Sequence, residues 1–514
     1  MRARPFRRVL VANRGEIAVR VLRACRQRGL ETVAVVSEAD RASLAAQLAD
    51  QVVEIGPAPA SESYLRIDGI LEAARQTGAD AVHPGYGFLA ENAGFARACD
   101  EAGLVFIGPS ADVIDAMGVK TEARRRMQEA GVPVVPGALL EGDDTARWEG
   151  AGAEVGYPLL VKAAAGGGGK GMRAVHAPDA LVEAIGAARR EAASAFGDAT
   201  VYLERLLQKP RHVEVQVLGD THGHVLHLGE RDCSVQRRHQ KVVEESPAPG
   251  VSDDLRVRLH DAAVRAARAV DYVGAGTVEM LLDASGDFFF LEMNTRLQVE
   301  HPVTEHVTGV DLVEAQLCVA AGERLALTQD EIRVHGHSIE VRLYAEDPAK
   351  GFLPQTGVLH LFEPPAGPGV RVDTGVTTGS EVTLHYDPMI AKLCAWGADR
   401  EQSRRRLVEA LRETTVLGPT TNLSHLLAIL EHEAFAAGEV HTGFLEQHLA
   451  DWSPDGGGGI DTDDALWLAA AATFALDPGG GRAQRSDGEG AADVRGPWED
   501  LGPLRLVPGS REDR

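Results

Sequence analysis

The chain has 514 residues, of which 44% are hydrophobic and 25% charged, and this is the composition of a globular protein of two to four domains. Its 76 acidic and 52 basic residues give a net charge of −24, which argues against nucleic acid or an anionic membrane as a partner. The five scattered cysteines contain no CxxC pair, which argues against a disulfide framework or a zinc site and favours a cytoplasmic location.

Residues 1–117 alternate short apolar runs with amphipathic helical patterns. RVLVA (8–12), TVAVVS (32–37) and LVFIGPS (104–110) predict buried strands of a parallel, doubly wound sheet, which binds ligands at the carboxyl ends of its strands. The first turn, ANRGE, lacks the GxGxxG fingerprint, which argues against a nicotinamide dehydrogenase. The basic start has no apolar core of a signal peptide, and no apolar run reaches the roughly 18 residues of a membrane span.

A glycine-rich segment at 166–171 (GGGGKG) follows the strand-like run YPLLVKAA. Glycines expose backbone N–H groups to phosphate oxygens, and Lys162 and Lys170 flank the segment with positive charge. The segment does not match GxxxxGK[ST], so a P-loop is excluded. A phosphate-binding loop and a plain hairpin tip both fit these residues.

The segment at 276–294 (GTVEMLLDASGDFFFLEMN) predicts a β-hairpin with a two-residue loop at Ser285 and Gly286. This register puts Glu279 directly opposite Glu292, and Asn294 lies two residues further along the same face. Facing carboxylates repel one another. Together with an amide oxygen, however, they are suitable ligands for Mg2+. The alternative is an exposed acidic face.

Three polar residues follow the hairpin at the same spacing of two. If the strand stays extended beyond the hairpin, Arg296, Gln298 and Glu300 lie on the face of the two carboxylates. A cation, an amide and a carboxylate beyond a metal site could hold and deprotonate a small anion.

A basic cluster lies in the acidic chain at 230–245 (ERDCSVQRRHQKVVEE). An anion pocket and a surface loop paired with Glu244 and Glu245 explain it equally well. Cys233 has no identifiable base nearby, so packing is the favoured interpretation. Arg342 alternates with Glu340 and Tyr344 on a predicted strand, which by itself indicates a solvated face.

Taken in order, these motifs resemble the signatures of the biotin carboxylase family within the ATP-grasp superfamily. The matching segments include VANRGEIAVR, HPGYGFLAEN, GGGGKGM, RRHQKVVEE, EMNTRLQVEHPVTE, EVRLYAEDP and HYDPMIAKL, and they cover about residues 5 to 450. The resemblance implies an α/β and α+β multidomain chain. It divides into an N-terminal domain (1–117), an ATP-grasp domain (118–330) with a mobile lid at about 134–205, a C-terminal domain (331–450) and a tail (451–514).

The resemblance also implies roles for individual residues. It implies that Lys120 and Lys162 contact the nucleotide phosphates, with Gly168 and Gly169 in the lid above them. It implies that Glu279 and Glu292 bind Mg2+ (or Mn2+) with assistance from Asn294. The residues that it places around the adenosine are Glu204, Arg205, Leu206, Leu207, His212, Gln236 and His239.

The implied reaction is the ATP-dependent carboxylation of biotin. In it, Lys241, Arg296 and the backbone N–H of Val299 bind bicarbonate, and Glu300 deprotonates it for attack on the γ-phosphate of ATP. The carboxyphosphate breaks down to CO2, and Arg342 stabilises the biotin enolate. One departure from the family pattern is visible at residues 163–165, where three alanines replace part of a longer glycine run.

None of the seven methionines is in the setting of a biotin-bearing lysine, so we expect biotin to arrive on a carrier protein or domain. The expected partners are this carrier and a carboxyltransferase, and the family usually forms homodimers. The tail has a predicted helix at 465–476, and its end segment PWEDLGPLRL resembles the entry to the bridging domain of acyl-CoA carboxylase α subunits. This favours a truncated or divided α subunit over a stand-alone short subunit. The alternatives are another carboxylating ATP-grasp ligase, which would not be expected to carry RRHQKVVEE or EVRLYAEDP, and a non-catalytic docking subunit.

Overall fold

The N-terminal part folds around the parallel sheet that the sequence predicts. In a computed structural model, which describes residues 6–140, 142, 144–163 and 172–454, this part contains β1 (Arg8–Val11), α1 (Gly15–Gln27), β2 (Glu31–Ser37), α2 (Leu44–Leu48), β3 (Gln51–Gly56), α3 (Ile67–Thr77), β4 (Ala81–His83), α4 (Ala93–Glu101), β5 (Val105–Phe106) and α5 (Ala111–Gly118). The strands are parallel in the order β3–β2–β1–β4–β5. Val9 packs against α1 and Leu10 against α3, so both faces of β1 are covered and its sequence is continuously apolar.

A small antiparallel sheet forms between residues 137 and 205. The elements from residue 120 onward are α6 (Lys120–Glu129), β6 (Gly137–Leu139), α7 (Thr145–Val155), β7 (Leu159–Ala163), β8 (Arg173–Val175), α8 (Leu181–Phe196) and β9 (Val201–Arg205). The strand order is β6–β9–β7–β8. Helix α8 buries Leu181, Ile185, Ala188 and Ala192, which recur at helical spacing and pack with Leu159 of β7.

A large antiparallel sheet occupies the centre of the chain. Its first part consists of β10 (Arg211–Gly219), β11 (Val225–Arg237), β12 (Gln240–Ser246), α9 (Asp253–Arg268), β13 (Gly274–Leu282), β14 (Phe288–Asn294), α10 (His301–Thr308) and α11 (Leu312–Ala320). Helix α9 packs its alanine-rich face, including Ala262 and Ala266, against Val213 and Val215 of β10. Small residues let the helix lie close to the sheet.

The C-terminal part extends the same sheet. Its elements are β15 (His337–Tyr344), β16 (Glu346–Asp347), β17 (Leu353–Pro354), β18 (Gly357–Val358), β19 (Leu361–Glu363), β20 (Val370–Thr374), β21 (Glu381–Val382), β22 (Met389–Gly397), α12 (Arg400–Glu413), β23 (Thr415–Leu417), α13 (Leu423–Glu431), α14 (Glu433–Ala436) and α15 (Phe444–His448). The large sheet has the order β14–β13–β10–β11–β12–β15–β22–β20. It therefore joins the expected ATP-grasp and C-terminal domains through the β12–β15 pair.

The predicted hairpin is present, but its loop differs from the prediction. Asp283 pairs with Asp287, so the loop has three residues instead of two. A β-bulge at Leu291 then inserts one residue into β14. The two differences cancel, and the prediction that Glu279 lies opposite Glu292 is confirmed. The condition set for Arg296, Gln298 and Glu300, that the strand stays extended past Asn294, is not met, because β14 ends there and residues 299–300 form a turn.

The domain boundaries at 117, 330 and 450 stay predictions. Within the described ranges, no helix is both long and apolar enough to span a membrane. The predicted helix at 465–476, the end segment PWEDLGPLRL and the lid residues Gly168 and Gly169 lie outside the described residues.

Candidate active site

One cavity of about 1040 Å3 gathers side chains from all parts of the fold. The N-terminal sheet contributes the turn after β1 and Tyr86, and the C-terminal part contributes Arg342 and Tyr386. Except for Gly168 and Gly169, every residue that the sequence analysis assigned to a site lies in the wall of this cavity. These residues are Lys120, Lys162, Glu204, Arg205, Leu206, Leu207, His212, Gln236, His239, Lys241, Glu279, Glu292, Asn294, Arg296, Val299, Glu300 and Arg342.

Glu279 is the most heavily hydrogen-bonded carboxylate of the cavity. Its Oε1 accepts from Asn294 Nδ2 at 2.8 Å, Lys241 Nζ at 2.9 Å and Gln298 Nε2 at 3.0 Å, and its Oε2 lies 3.0 Å from His212 Nε2. Burial alone would raise the pKa of Glu279, but Lys241 and His212 hold it well below its usual range. Glu279 is therefore a fixed negative charge.

Glu292 has the opposite environment on the neighbouring strand. Burial, followed by the charge of Glu279, raises the pKa of Glu292. The positive charge of a divalent cation between the two carboxylates would offset both effects, so the pair fits a Mg2+ site. The structure supports metal binding by Asn294 less well, because the amide oxygen Oδ1 that would contact the metal already accepts a hydrogen bond from Arg296 at 3.0 Å.

A second cluster is centred on Glu300, which is fully buried. Its Oε1 accepts from Lys241 Nζ at 2.6 Å, and its Oε2 accepts from Arg342 at 3.1 Å. Burial alone would raise the pKa of Glu300, but Lys241, then Arg342 and Arg231, hold it well below its ordinary value. Lys241 also donates to Glu279 at 2.9 Å, so it links the Glu300 cluster to the Glu279–Glu292 pair, and its third acceptor is Glu214 at 2.6 Å.

Arg296 lies between the two clusters. Its guanidinium donates to Glu91 at 2.8 Å, to Gln298 at 2.8 Å and to Asn294. The pKa of Arg296 is raised even though burial opposes this, because Glu91 compensates for the lost hydration. Together with Lys241, Arg296 provides a pair of fixed cations that could hold a small anion.

The other end of the cavity has the features of a nucleotide site. Lys162 of β7 forms an ion pair with Glu204 of β9, and Lys120 is the first residue of α6. Leu281 and Leu291 provide an apolar wall. The β-bulge brings Leu291 into that wall, so the residue that corrects the register also lines the cavity.

His239 reaches the cavity from a strained turn. Arg238 and His239, with φ values of 50° and 68°, form the two-residue connection between β11 and β12. Left-handed backbone is unfavourable for residues with a side chain, and such strain is concentrated at functional sites.

One interpretation of the basic stretch at 230–245 is corrected. The stretch is not a surface loop, because Arg231, Cys233 and Glu244 are fully buried on β11 and β12. The anion-pocket interpretation stays a prediction for Arg238, His239 and Lys241, which line the cavity, whereas Arg231 and Arg237 are paired with Glu214 and Glu346. The packing interpretation of Cys233 fits its burial, which raises the pKa of its thiol well above the ordinary value.

Arg342 is also not on a solvated face, since every residue of β15 is buried. Its guanidinium donates to Glu244 at 2.7 Å as well as to Glu300. Burial raises the pKa of Glu244 to about 7, although Arg342 opposes this rise.

Sequence reasoning missed several residues of the site. Glu214 alternates with the buried valines of β10, so its position on the cavity face could have been found from a spacing of two. Tyr86 and Asp387, which line the cavity, and Glu91, which accepts from Arg296, gave no such signal, because they lie in loops of other domains.

Three protein-family models match consecutive parts of the chain. Residues 5–114 match the N-terminal domain of biotin carboxylase, and residues 340–447 match its C-terminal domain. Residues 119–328 match the ATP-binding domain of the carbamoyl-phosphate synthase L chain.

Curated relatives and solved structures agree with these matches. The mitochondrial methylcrotonoyl-CoA carboxylase subunit alpha of Dictyostelium discoideum is 48% identical, over 98% of this chain and 71% of its own length. The biotin carboxylase of Halalkalibacterium halodurans is 51% identical, over 86% of this chain and 98% of its own. The biotin carboxylase domain of Hydrogenobacter thermophilus 2-oxoglutarate carboxylase, solved as a dimer with MgADP and bicarbonate, has a TM-score of 0.81 at 44% identity, with coverage of 86% and 98%.

The chain is shorter than several of its relatives. It spans 61–63% of the length of the methylcrotonoyl-CoA carboxylase alpha subunits of soybean, rat and Arabidopsis.

Proposed function

The chain belongs to the biotin carboxylase family, and from this we propose that it uses ATP and bicarbonate to carboxylate biotin on a carrier protein or domain. The observation that carries the proposal is the single cavity in which the Glu279–Glu292 pair and the Glu300 cluster share Lys241. Nucleotide chemistry and bicarbonate chemistry can therefore take place in one cavity.

We propose that the nucleotide end binds ATP. Lys120 and Lys162 would contact the phosphates, and the residues from Glu204 to Leu207 with His212, Gln236 and His239 would surround the adenosine. Glu279 and Glu292 would hold Mg2+, which supplies positive charge to the triphosphate when it is bound. The roles of Gly168 and Gly169 as lid contacts remain part of this proposal.

The bicarbonate end would bind its anion between Lys241, Arg296 and the N–H of Val299. Glu300 would take the bicarbonate proton while a bicarbonate oxygen attacks the γ-phosphate and ADP leaves. The resulting carboxyphosphate would break down to CO2 and phosphate, the phosphate would accept the N1′ proton of biotin, and N1′ would attack the CO2 to form carboxybiotin. Arg342 would stabilise the negative charge on the biotin ureido oxygen.

The direct test is phosphate release from ATP, with Mg2+, bicarbonate and free biotin omitted in turn. Release should require bicarbonate and rise with biotin. Glu300→Gln should lower it by about 10²–10⁴, the range expected for removal of a general base. The exposed Glu363, on β19 outside the cavity, offers a matched control, and Glu363→Gln should retain the parent rate.

The same assay separates the alternatives. ATP turnover that requires neither bicarbonate nor biotin would favour another ATP-grasp reaction. A folded chain that binds ATP without any turnover, even with an added biotinylated carrier, would favour a docking subunit.

We further propose that the reaction is the first half-reaction of an acyl-CoA carboxylase, with a biotin carrier and a carboxyltransferase as partners. The relatives named methylcrotonoyl-CoA carboxylase subunit alpha support this. A homodimer is supported by the dimeric 2-oxoglutarate carboxylase domain, and light scattering would test it. The cytoplasmic location remains a prediction, since several relatives are mitochondrial. The domain boundaries at 117, 330 and 450 also remain predictions.

A further inference from the structure

The segment that carries the proposed bicarbonate ligands is a short turn. It lies between the end of β14 at Asn294 and the start of α10 at His301, and residues 295–300 have no strand partner. Val299 and Glu300 nevertheless need a fixed orientation, because one would offer its backbone N–H and the other its carboxylate to the same small anion.

Two buried side chains hold this turn through consecutive carbonyl groups. His301 Nδ1 lies 2.7 Å from the carbonyl oxygen of Gln298, and Lys392 Nζ donates to the carbonyl oxygen of Val299 at 2.8 Å. The peptide unit is planar, so fixing the Gln298 carbonyl fixes the direction of the Val299 N–H. In the same way, the bond from Lys392 fixes the peptide that leads into Glu300.

His301 and Lys392 are not in the cavity wall, whereas Gln298, Val299 and Glu300 are. Both side chains are fully buried. They therefore hold the turn from outside the cavity.

The position of Lys392 follows from the register of the large sheet. Lys392 of β22 pairs directly with Arg342 of β15 on one side and with Asp373 of β20 on the other. Arg342 donates to the Glu300 carboxylate, and its neighbour Lys392 donates to the adjoining carbonyl. Glu16, 3.1 Å away on α1, and Asp373 at 3.7 Å balance the buried charge of Lys392.

The chemistry of His301 is equally constrained. Burial, followed by the charges of Lys392, Arg20 and Arg371, lowers the pKa of His301 well below its ordinary value, so the imidazole is neutral and carries one proton. Because a carbonyl oxygen only accepts, that proton is on Nδ1. Nε2 has no hydrogen-bond partner among the described residues.

We propose that His301 and Lys392 are positioning residues for bicarbonate, which orient the Val299 N–H and the Glu300 carboxylate toward the anion. This inference rests on the proposed function. It predicts a specific defect in the use of bicarbonate, while ATP binds at the other end of the cavity and is unaffected.

The test compares two substitutions at one position. His301→Leu removes the donor. His301→Asn places a side-chain amide nitrogen where Nδ1 was, and this nitrogen can still donate to the Gln298 carbonyl. His301→Leu should raise the KM for bicarbonate about ten- to hundredfold, because the Val299 N–H would lose its hydrogen bond to the charged bicarbonate. The KM for ATP should stay unchanged. His301→Asn should restore most of the bicarbonate affinity.

A control separates positioning from general damage to the fold. His425 is another buried histidine, which packs against Phe352 and Trp452 outside the cavity wall. His425→Leu should leave the KM for bicarbonate at the parent value. Lys392→Met should share the defect of His301→Leu, and its thermal unfolding reports whether the loss of charge disturbs the fold. If Lys392→Met does disturb the fold, the comparison of His301→Leu with His301→Asn decides whether the positioning role holds.

The outcomes distinguish the two levels of the proposal. If the parent chain shows no bicarbonate-dependent ATP turnover, the proposed function fails. If the parent depends on bicarbonate, but His301→Leu, His301→Asn and Lys392→Met all keep the parent KM for bicarbonate and lose only kcat and thermal stability, the roles of His301 and Lys392 are structural only and this inference alone is wrong.

Discussion

Glu300 is hydrogen-bonded to Lys241 and Arg342, the cations that are proposed to bind bicarbonate and to stabilise biotin. Lys241 and Arg342 hold its pKa well below the ordinary value, which makes Glu300 a weak base in the structure described. An anion bound at Lys241 and Arg296 would compete with Glu300 for Lys241 and add a negative charge nearby, and both effects raise the pKa of Glu300. Bicarbonate itself would therefore strengthen the base that deprotonates it.

Glu230, a carboxylate of the stretch 230–245, contributes to stability. Glu230 is buried, accepts from Arg256 at 2.8 Å and lies 2.7 Å from His260. Burial alone would raise the pKa of Glu230, but the bond and charge of His260, and then Arg256, hold it at about 2. An acid whose pKa is lowered by folding stabilises the fold above its unfolded pKa and loses this contribution as the pH falls toward the folded pKa.

We therefore predict a pH-dependent cost of Glu230→Gln. At neutral pH the substitution should lower the free energy of unfolding by about 3 kcal/mol, because the pKa is lowered from an unfolded value near 4.5 to about 2. The difference from the parent should shrink between about pH 4.5 and pH 2. Urea unfolding of both proteins across this range measures it, with the exposed Glu101→Gln as a control. A difference that stays constant with pH would contradict the assigned ion pair.

The sequence predicted the charged residues of the site better than it predicted their surroundings. Glu279, Glu292 and Asn294 follow the spacing of two on strands, so the hairpin places them together. Arg342 and Arg231 have spacing that fits a solvated face equally well, and only the partners Glu244 and Glu214, on other strands, explain their burial. Such partners are set by tertiary pairing, which local periodicity does not contain.

The β13–β14 hairpin shows how a correct contact can follow from an incorrect element. The turn dipeptide indicated a two-residue loop, and the structure has a three-residue loop followed by a bulge at Leu291. Without the bulge, the three-residue loop would have turned Glu292 toward the core. The bulge restores the face and gives the cavity its apolar wall, so it serves both register and binding.

Close backbone contact joins α1 to the segment after β20. A Cβ atom on Gly375 would lie 2.3 Å from the carbonyl carbon of Gly15 and 2.5 Å from the nitrogen of Glu16, so any side chain there must push the start of α1 away. We expect Gly375→Ala to lower the free energy of unfolding by about 1–3 kcal/mol, as for an overpacked core. Chemical denaturation measures this.

Gly367 offers a matched control for that substitution. A Cβ atom on Gly367 would meet nothing within 4 Å, and neither glycine has a left-handed φ, so backbone strain does not distinguish the two substitutions. Gly367→Ala should be close to neutral in stability. Equal effects of the two substitutions would show that the contact between Gly375 and α1 does not contribute to stability.

At the scale of the whole molecule, a chain of net charge −24 concentrates fixed cations in one cavity. Lys120 and Lys162 come from α6 and from β7 of the small sheet, whereas Lys241 and Arg342 come from strands of the large sheet and Arg296 from the turn after β14. The global field opposes anionic ligands, so their binding depends on this local arrangement. Family motifs in the sequence indicate most of these cations, but not the approach of Tyr86 and Asp387 from separate domains, since no local pattern records which domain surfaces meet.

The nucleotide end joins the small sheet to the large one, and this predicts how ligands stabilise the chain. MgATP at about 100 times its Kd should raise the free energy of unfolding by about 2.7 kcal/mol, and ATP with EDTA should raise it less. Glu292→Gln should abolish the Mg2+-dependent part of this gain while the response to ATP alone remains. Without ligand, the variant should be at least as stable as the parent, because it removes a charge that faces Glu279. Thermal unfolding with and without each ligand measures both effects, and a variant that MgATP stabilises as strongly as the parent would show that Glu292 is not a metal ligand.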